Sequence, residues 1–173
     1  GKIETFKDCY DQQVYSHYLN KGKSATDIKE TLGRTLHDHS MTNAMNDFLS
    51  HFDEKQVVGI IGGHGLLRTE EAYRQVVMVS KTLAENGCLM ISGGGPGAME
   101  ATHLGAWMAG RSEAETDDAI GILKTAPSYK DKLWLETALQ VMTKYPQDQY
   151  VSLGVHTWLY GHEPATPFAT HIA

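Results

Sequence analysis

Three consecutive glycines, Gly93–Gly95, constrain the fold of this 173-residue chain more than any other feature. They belong to the loop Ser92–Gly97, which follows the apolar run Cys88–Ile91 and precedes a helix predicted from about Ala98 to Ala109. Glycine lets the backbone approach a ligand closely and adopt positive φ. The first N–H groups of a helix have no intrahelical partner and carry partial positive charge. The loop is therefore predicted to bind a phosphate, although a tight strand-to-helix turn without a ligand uses similar residues.

A second glycine cluster, Gly62–Gly65, follows the apolar run Val57–Ile61. A continuous apolar run is typical of a parallel strand that is covered on both faces. Because ligands of open parallel sheets bind beyond the carboxyl ends of the strands, both glycine loops are predicted to face one crevice. Arg68 precedes the next helix and is interpreted either as a phosphate partner or as a solvated side chain.

The predicted nucleotide or phosphate site combines these two loops with the first turn of the helix after Gly97. Glu100 has two interpretations there, as an acidic side chain that favours the helix dipole or as a ligand of a ribose hydroxyl. No residue is assigned a catalytic role, and Glu100 is kept only as a candidate. The predicted binding residues are Gly62, Gly63, His64, Arg68, Ser92, Gly93, Gly94, Gly95, Gly97, Ala98, Met99 and Glu100.

Strand and helix patterns alternate along the second part of the chain, as in βαβ units. We predict an α/β fold with a Rossmann-like open parallel sheet flanked by helices. The predicted strands are Val57–Ile61, Cys88–Ile91, Ala119–Leu123, Tyr150–Leu153 and Val155–Tyr160. The predicted helices are Thr69–Glu85, with Ala72, Val76, Val79 and Leu83 inward, then Ala98–Ala109 and Asp131–Lys144. An acidic surface loop is predicted over Ser112–Asp118.

Residues 1–55 are polar and have an intermittent apolar helical spacing, which predicts a helical leader with Ser24 or Thr26 as an N-cap. The leader is expected to pack on the domain or on a second subunit of a homo-oligomer. Residues 56–173 are predicted to form the nucleotide-binding domain. Pro167–Ala173 resembles the opening turn of a further helix, so the fold is expected to be incomplete and the chain to be a truncated form, a cleavage product or one piece of a longer protein.

Composition disfavours two classes of partner. The formal net charge of −6 disfavours a surface that follows the phosphates of DNA or RNA, because such surfaces need clustered Lys and Arg. A small anionic ligand stays compatible with this charge, since backbone N–H groups bind phosphate on their own. No apolar stretch approaches the ~20 residues of a bilayer span, and the N-terminus has no signal-peptide pattern, so a cytoplasmic protein without a membrane partner is expected.

Histidines and cysteines do not form a metal-binding pattern. His37 and His39 are too close in sequence for the usual two-ligand helical spacing, and His162 lacks a second histidine four residues on. Cys9 and Cys88 share no metal spacing. We therefore predict no metal and no cofactor.

Two other nucleotide-binding patterns fit poorly. A dinucleotide fingerprint needs Gly-x-Gly-x-x-Gly and an acidic residue at the end of the second strand. Here Gly63–Leu67 is followed by Arg68, and the second strand ends at Ser92, so NAD in the usual mode is not predicted. Lys21–Ser24 imitates the end of a P-loop, but His17 replaces its first glycine and no strand precedes it.

Val57–Gly110 resembles the Lonely-Guy (LOG) family and its larger relatives, the nucleotide 5′-monophosphate nucleosidases. The resemblance is carried by the Gly-Gly-x-Gly turn at Gly62–Gly65 and by Ser92–Ala101. Leu153–Ala173, which contains Trp158–Pro164, is also similar to a stretch in uncharacterised Rossmann-fold nucleotide-binding proteins.

The resemblance implies a hydrolase that cleaves the N-glycosidic bond of nucleoside monophosphates to free base and ribose 5-phosphate, without metal or redox cofactor. The second signature of the family, Pro-Gly-Gly-x-Gly-Thr-x-x-Glu, binds phosphate and carries the active-site glutamate, and these 173 residues do not contain it. The resemblance thus implies nucleotide binding here and catalysis in the full protein, with this chain alone inactive.

Two alternatives stay open. Ser92–Gly97 followed by Ala101–Ala106 is also similar to the DNA-processing protein A family, which binds single-stranded DNA. The absence of the glutamate motif also leaves room for a sensor or carrier that binds a nucleotide-like ligand without chemistry.

Overall fold

The computed structural model describes residues 8–156 and 164–173. Within them, a four-stranded parallel sheet is flanked by six α-helices, which confirms the Rossmann-like α/β prediction. The strands are β1 (Val57–Gly59), β2 (Leu89–Ser92), β3 (Ser152–Gly154) and β4 (His171–Ile172). The helices are α1 (Tyr10–Lys21), α2 (Ile28–Leu49), α3 (Glu71–Glu85), α4 (Ala98–Trp107), α5 (Glu113–Leu123) and α6 (Trp134–Lys144), with a short 3-10 turn at Glu54–Gln56.

The described strands lie side by side in chain order, and every pairing is parallel. Val57 lies opposite Leu89, which confirms that β1 and β2 run in the same direction. Ser92 lies opposite Gly154 in the next pairing. Both glycine loops therefore leave the sheet at the same edge.

Helices α3 and α4 pack closely because α4 carries Gly105 at their contact. A Cβ atom at Gly105 would lie 2.4 Å from the Val77 carbonyl oxygen and 2.5 Å from the Ser80 Cβ. The apolar core continues from Val77 through Leu104 of α4 to helices α5 and α6. This packing fixes the start of α4 relative to the sheet.

The inward face of α3 differs from the predicted one. Tyr73, Val77 and Ala84 are buried, whereas Val79 is 54% exposed. The buried face also includes Ser80 and Lys81. The prediction missed these two positions because it was based on the spacing of apolar residues. A small hydroxyl fits beneath Gly105, and a lysine can bury its stem while its ammonium group reaches the surface.

Glu113–Leu123 is a helix with Ser112 as its N-cap, so the predicted acidic loop and the predicted strand Ala119–Leu123 are both wrong. The Ser112 hydroxyl accepts a hydrogen bond from the Glu115 N–H, and the Glu115 carboxylate accepts one from the Ser112 N–H. This capping box starts α5. The buried residues of α5 have the spacing of one helix face, and they are Thr116, Ala119, Ile120 and Leu123.

Pro167–Ala173 forms a turn followed by β4 rather than the opening of a helix. Phe168 is fully buried in the core, and His171 lies opposite Leu153 in a parallel pairing. Burial of the aromatic ring and the strand pairing override the helix-start signal of Pro167. The predicted strand Val155–Tyr160 is absent at residues 155 and 156, and its remainder lies outside the described residues.

The leader contains the predicted helical structure, in α1 and α2. The N-cap of α2 is Asp27, whose carboxylate accepts a hydrogen bond from the Glu30 N–H, instead of Ser24 or Thr26. The division of the chain near residue 55 stays a prediction. Among the described helices, none combines the length and apolar character that crossing a bilayer requires.

Candidate functional site

The two glycine loops contact each other directly. The Ala98 N–H donates a hydrogen bond of 3.2 Å to the Gly63 carbonyl, and a Cβ atom at Gly62 would lie 2.4 Å from the Ala98 Cβ. Gly97 has φ +72°, and a Cβ atom there would lie 2.5 Å from the Gly63 oxygen. Glycine is therefore required at positions 62 and 97 to bring the loops together.

The other side of the Ser92–Gly97 loop packs on the end of β3. Gly94 has φ +70°, and a Cβ atom there would lie 3.1 Å from the Gly154 Cα. The Gly94 carbonyl accepts a hydrogen bond of 2.7 Å from the Thr166 N–H. The packing of the loop on β3 is thus sufficient to explain why position 94 is glycine. Ligand binding by the loop depends on other backbone atoms.

Those atoms are backbone N–H groups at the start of α4. Within the described part of the chain, the N–H groups of Gly95, Gly97 and Met99 have no acceptor, whereas the Ala98 N–H is used by Gly63. Gly95 and Gly97 are buried residues. Several N–H donors at a helix N-terminus form a favourable position for an anion.

Ser92 supports the loop through a buried polar network. Its hydroxyl accepts a hydrogen bond from the Gly94 N–H and lies 2.7 Å from His103 Nε2. His103 Nδ1 in turn lies 2.9 Å from the Ser152 hydroxyl. Burial lowers the pKa of His103 to about 3, so the imidazole is neutral near pH 7 and can donate through one nitrogen and accept through the other. The network connects the glycine loop, α4 and β3.

Arg68 and Glu100 form a buried ion pair beside the loops. The side chains are 1% and 0% exposed. Arg68 Nη2 lies 2.6 Å from Glu100 Oε1, and Arg68 Nε lies 2.9 Å from Oε2. The Tyr73 hydroxyl also donates to Oε2, at 3.1 Å, and burial raises its pKa well above the usual value, so it stays protonated. Glu100 is thus a charge partner of Arg68 within the fold.

The remaining donors of Arg68 are directed at the segment between α5 and α6 and at the first turn of α6. Arg68 Nη1 donates to the Ala126 carbonyl and the Thr137 hydroxyl, and Nη2 donates to the Trp134 carbonyl. A guanidinium group has five N–H donors, and each of them has an acceptor in this arrangement. Arg68 therefore connects α4 to the segment between α5 and α6 and to the start of α6.

A cavity of about 220 Å³ lies between the Gly62–Gly65 loop, the start of α4 and residues 127–134. Its lining includes Gly97 and His64 from the glycine loops, and Arg68 and Glu100 from the ion pair. Among the three residues with N–H donors at the start of α4, Gly97 lines the cavity, and the buried ion pair contributes to the rest of its surface.

The sequence profile of the SLOG cluster4 family matches residues 55–144, just over half of the chain. The chain belongs to the SLOG cluster4 family. SLOG denotes a superfamily that includes both the LOG nucleosidases and the single-stranded-DNA-binding proteins of the DNA-processing protein A type. The matched region contains both glycine loops and the Arg68–Glu100 pair. No curated protein matches this SLOG cluster4 chain.

The structure brings most of the predicted site residues of the SLOG cluster4 chain to one sheet edge, but gives them different surroundings. His64, Arg68, Gly97 and Glu100 line the cavity, whereas the Ser92 hydroxyl is directed into the buried histidine network. Arg68 is 1% exposed and pairs with Glu100, so its interpretation as a solvated side chain is wrong. The ligand contacts themselves stay predictions.

Sequence reasoning missed five residues that line the cavity, namely Pro127, Ser128, Tyr129, Lys130 and Trp134. The sequence contains only a weak indication of these residues. Pro127 and Ser128 favour a turn, and Tyr129-Lys130 places an aromatic ring beside a cation. Within the described ranges, no three His, Cys, Asp or Glu side chains cluster as metal ligands. His162 lies outside those ranges.

Proposed function

We propose that this SLOG cluster4 chain is the nucleotide-binding part of a phosphoribohydrolase, and that it binds a nucleoside 5′-monophosphate at the start of α4. The observation that carries the proposal is the group of N–H donors at Gly95, Gly97 and Met99, which have no acceptor among the described residues. A phosphate placed there would accept hydrogen bonds from the backbone and interact favourably with the helix dipole.

The size of the adjoining cavity favours a small polar group as the part of the ligand that is enclosed. Its volume of about 220 Å³ is below the roughly 300–1,000 Å³ of pockets that enclose drug-sized ligands. This volume suits a ribose phosphate better than a complete nucleotide. In the proposed complex the phosphoribosyl group occupies the cavity and the base extends toward its opening.

Calorimetric titration with AMP tests the proposal. The Gly95→Val variant should lose at least about tenfold in affinity, because a branched side chain would obstruct the approach of the phosphate to the backbone. Gly121→Val is the matched control: Gly121 lies on α5, and a Cβ atom there would meet nothing within 4 Å. Circular dichroism and melting temperature should show that both variants fold.

Equal AMP affinity in wild type and Gly95→Val would show that this loop is not the phosphate site. A single-stranded oligonucleotide is titrated in parallel, at low and high salt. Tight, strongly salt-dependent binding of the oligonucleotide without binding of AMP would favour the DNA-binding alternative. The formal charge of −6 disfavours that result.

A further inference from the structure

The segment between α5 and α6 is held in place at both of its ends by Arg68. The Arg68 N–H donates to the Pro127 carbonyl at 3.1 Å, and its guanidinium donates to the Ala126 and Trp134 carbonyls. The guanidinium carbon also lies 5.1 Å from the centre of the Trp134 ring. The segment is therefore attached to the same residue that pairs with Glu100 of α4.

A turn fixes the middle of this segment. The Asp131 N–H donates to the Ser128 carbonyl at 2.9 Å, and the Asp131 carboxylate accepts a hydrogen bond of 2.7 Å from the Ser128 N–H. These reciprocal bonds orient the two residues between them, Tyr129 and Lys130. Both residues line the cavity together with His64 and Gly97 of the glycine loops.

The Tyr129 ring positions the ammonium group of Lys130. The Lys130 ammonium lies 5.7 Å from the centre of the Tyr129 ring, a distance compatible with a cation–π contact. The Gly62–Gly65 loop contacts the same ring, because His64 packs against Tyr129 with 5.9 Å between ring centres. Within the described ranges, Lys130 forms no salt bridge with a carboxylate.

We infer that Lys130 supplies the positive charge for the phosphate of the nucleotide, and that Pro127–Lys130 together with Trp134 forms the second wall of the site. This inference depends on the proposed function and identifies its phosphate-recognising side chain. Arg68 is unsuited to that role because all five of its N–H donors are used within the fold. A lysine can bind phosphate as a compact point charge, while backbone N–H groups orient the oxygens.

Calorimetric titration of the 173-residue chain with AMP tests the inference through three variants. Lys130→Ala should weaken AMP binding about tenfold, the loss expected when one charged hydrogen bond to the phosphate is removed. Lys130→Arg should retain most of the affinity. Lys132→Ala is the matched control, because it removes the same charge from an exposed residue that does not line the cavity. The difference between wild type and Lys130→Ala should decrease at high salt.

The results separate this inference from the proposed function. If Gly95→Val loses AMP and Lys130→Ala does not, the glycine loop binds the nucleotide and the role of Lys130 is wrong. Equal losses in Lys130→Ala and Lys132→Ala would also overturn the inference, since they would reflect only the overall charge. Failure of the wild-type chain to bind AMP would overturn both proposals.

Discussion

The imidazole of His103 lies between two serine hydroxyls, 2.7 Å from Ser92 and 2.9 Å from Ser152, and it is fully buried. Ser92 ends β2 at the glycine loop, while Ser152 begins β3. A neutral ring satisfies both contacts because it has one donor and one acceptor nitrogen. Protonation would replace the acceptor by a second donor and place a charge in the core. The shape of the glycine loop thus depends on a titratable group.

Stability should therefore decrease in acid through His103. Burial lowers its pKa from 6.5 to about 3, so between these values the unfolded chain binds more protons at this position than the folded chain. The free energy of unfolding should fall as pH falls through that window, with a slope of up to about 1.4 kcal/mol per pH unit from this group. This contribution is fully present above about pH 6.5.

Urea unfolding from about pH 7 to about pH 4 measures this slope. His103→Gln lacks the titrating ring and should show a shallower slope than wild type, even if it is less stable at neutral pH. Ser152→Ala is the control, because it removes a hydroxyl partner and keeps the imidazole. Identical slopes in wild type and His103→Gln would contradict the prediction.

The Arg68–Glu100 pair should be a major determinant of stability. Arg68→Met would leave the Glu100 carboxylate buried without its charge partner, and such losses cost about 3–5 kcal/mol of unfolding free energy. Arg74 is a useful comparison, since it pairs with Glu113 and Asp117 at the surface. Arg74→Met should have a much smaller effect, because exposed ion pairs are screened by solvent. Similar midpoints in urea for the two variants would contradict the structural role of Arg68.

The capping box of α5 provides a third prediction. Ser112→Ala should lower the free energy of unfolding by about 1 kcal/mol, because the N–H of Glu115 loses its acceptor. Thr143→Ala is the control: the Thr143 hydroxyl only donates to the Leu139 carbonyl within α6. Substitution of that exposed threonine by alanine should be neutral or slightly stabilising. Urea unfolding of both variants distinguishes a cap from a general effect of removing a hydroxyl.

The error at α5 shows where sequence reasoning was insufficient. Ala119–Leu123 is a short apolar run, and such runs do not by themselves distinguish a buried strand from one face of a helix. Ser112 and Glu115 gave the helix signal, at the three-residue spacing of a capping box. The glycine loops were easier to predict, because glycine clusters that follow apolar runs are visible in the sequence. Gly97 has a positive φ, whereas the contact that requires glycine at position 62 is with Ala98, which follows the other loop.

The surroundings of Arg68 could not be predicted in this way. Its partners come from positions 100, 126, 134 and 137, so the pair depends on how α4 and α6 pack in three dimensions. The position of Lys130 at the cavity depends on the same packing. Local sequence patterns predict which backbone can turn or bind an anion, whereas side-chain partners distant in sequence require the fold.

The 173-residue chain should bind AMP but release free base only slowly. Glycosidic cleavage requires a carboxylate that can act on the attacking water or stabilise the sugar cation. Glu100 borders the cavity, but its oxygens accept hydrogen bonds from Arg68 and Tyr73. A carboxylate committed to these partners is poorly placed to accept a proton from water. The glutamate motif of the nucleosidases, which would supply another carboxylate, does not occur in these residues.

Base release from AMP, CMP and IMP, measured by chromatography, tests this expectation with wild type and Glu100→Gln. The two proteins should show the same low rate at a temperature where both are folded, since Glu100 is assigned to the fold rather than to the reaction. Addition of a separate polypeptide that contains a Pro-Gly-Gly-x-Gly-Thr-x-x-Glu segment should raise the rate above that of either protein alone if the chain contributes the binding half of the site. Rapid turnover by wild type that disappears in Glu100→Gln, with AMP affinity retained, would instead make Glu100 the catalytic carboxylate. Ground-state binding would then be unchanged while the reacting water lost its base, which a purely structural role for Glu100 does not predict.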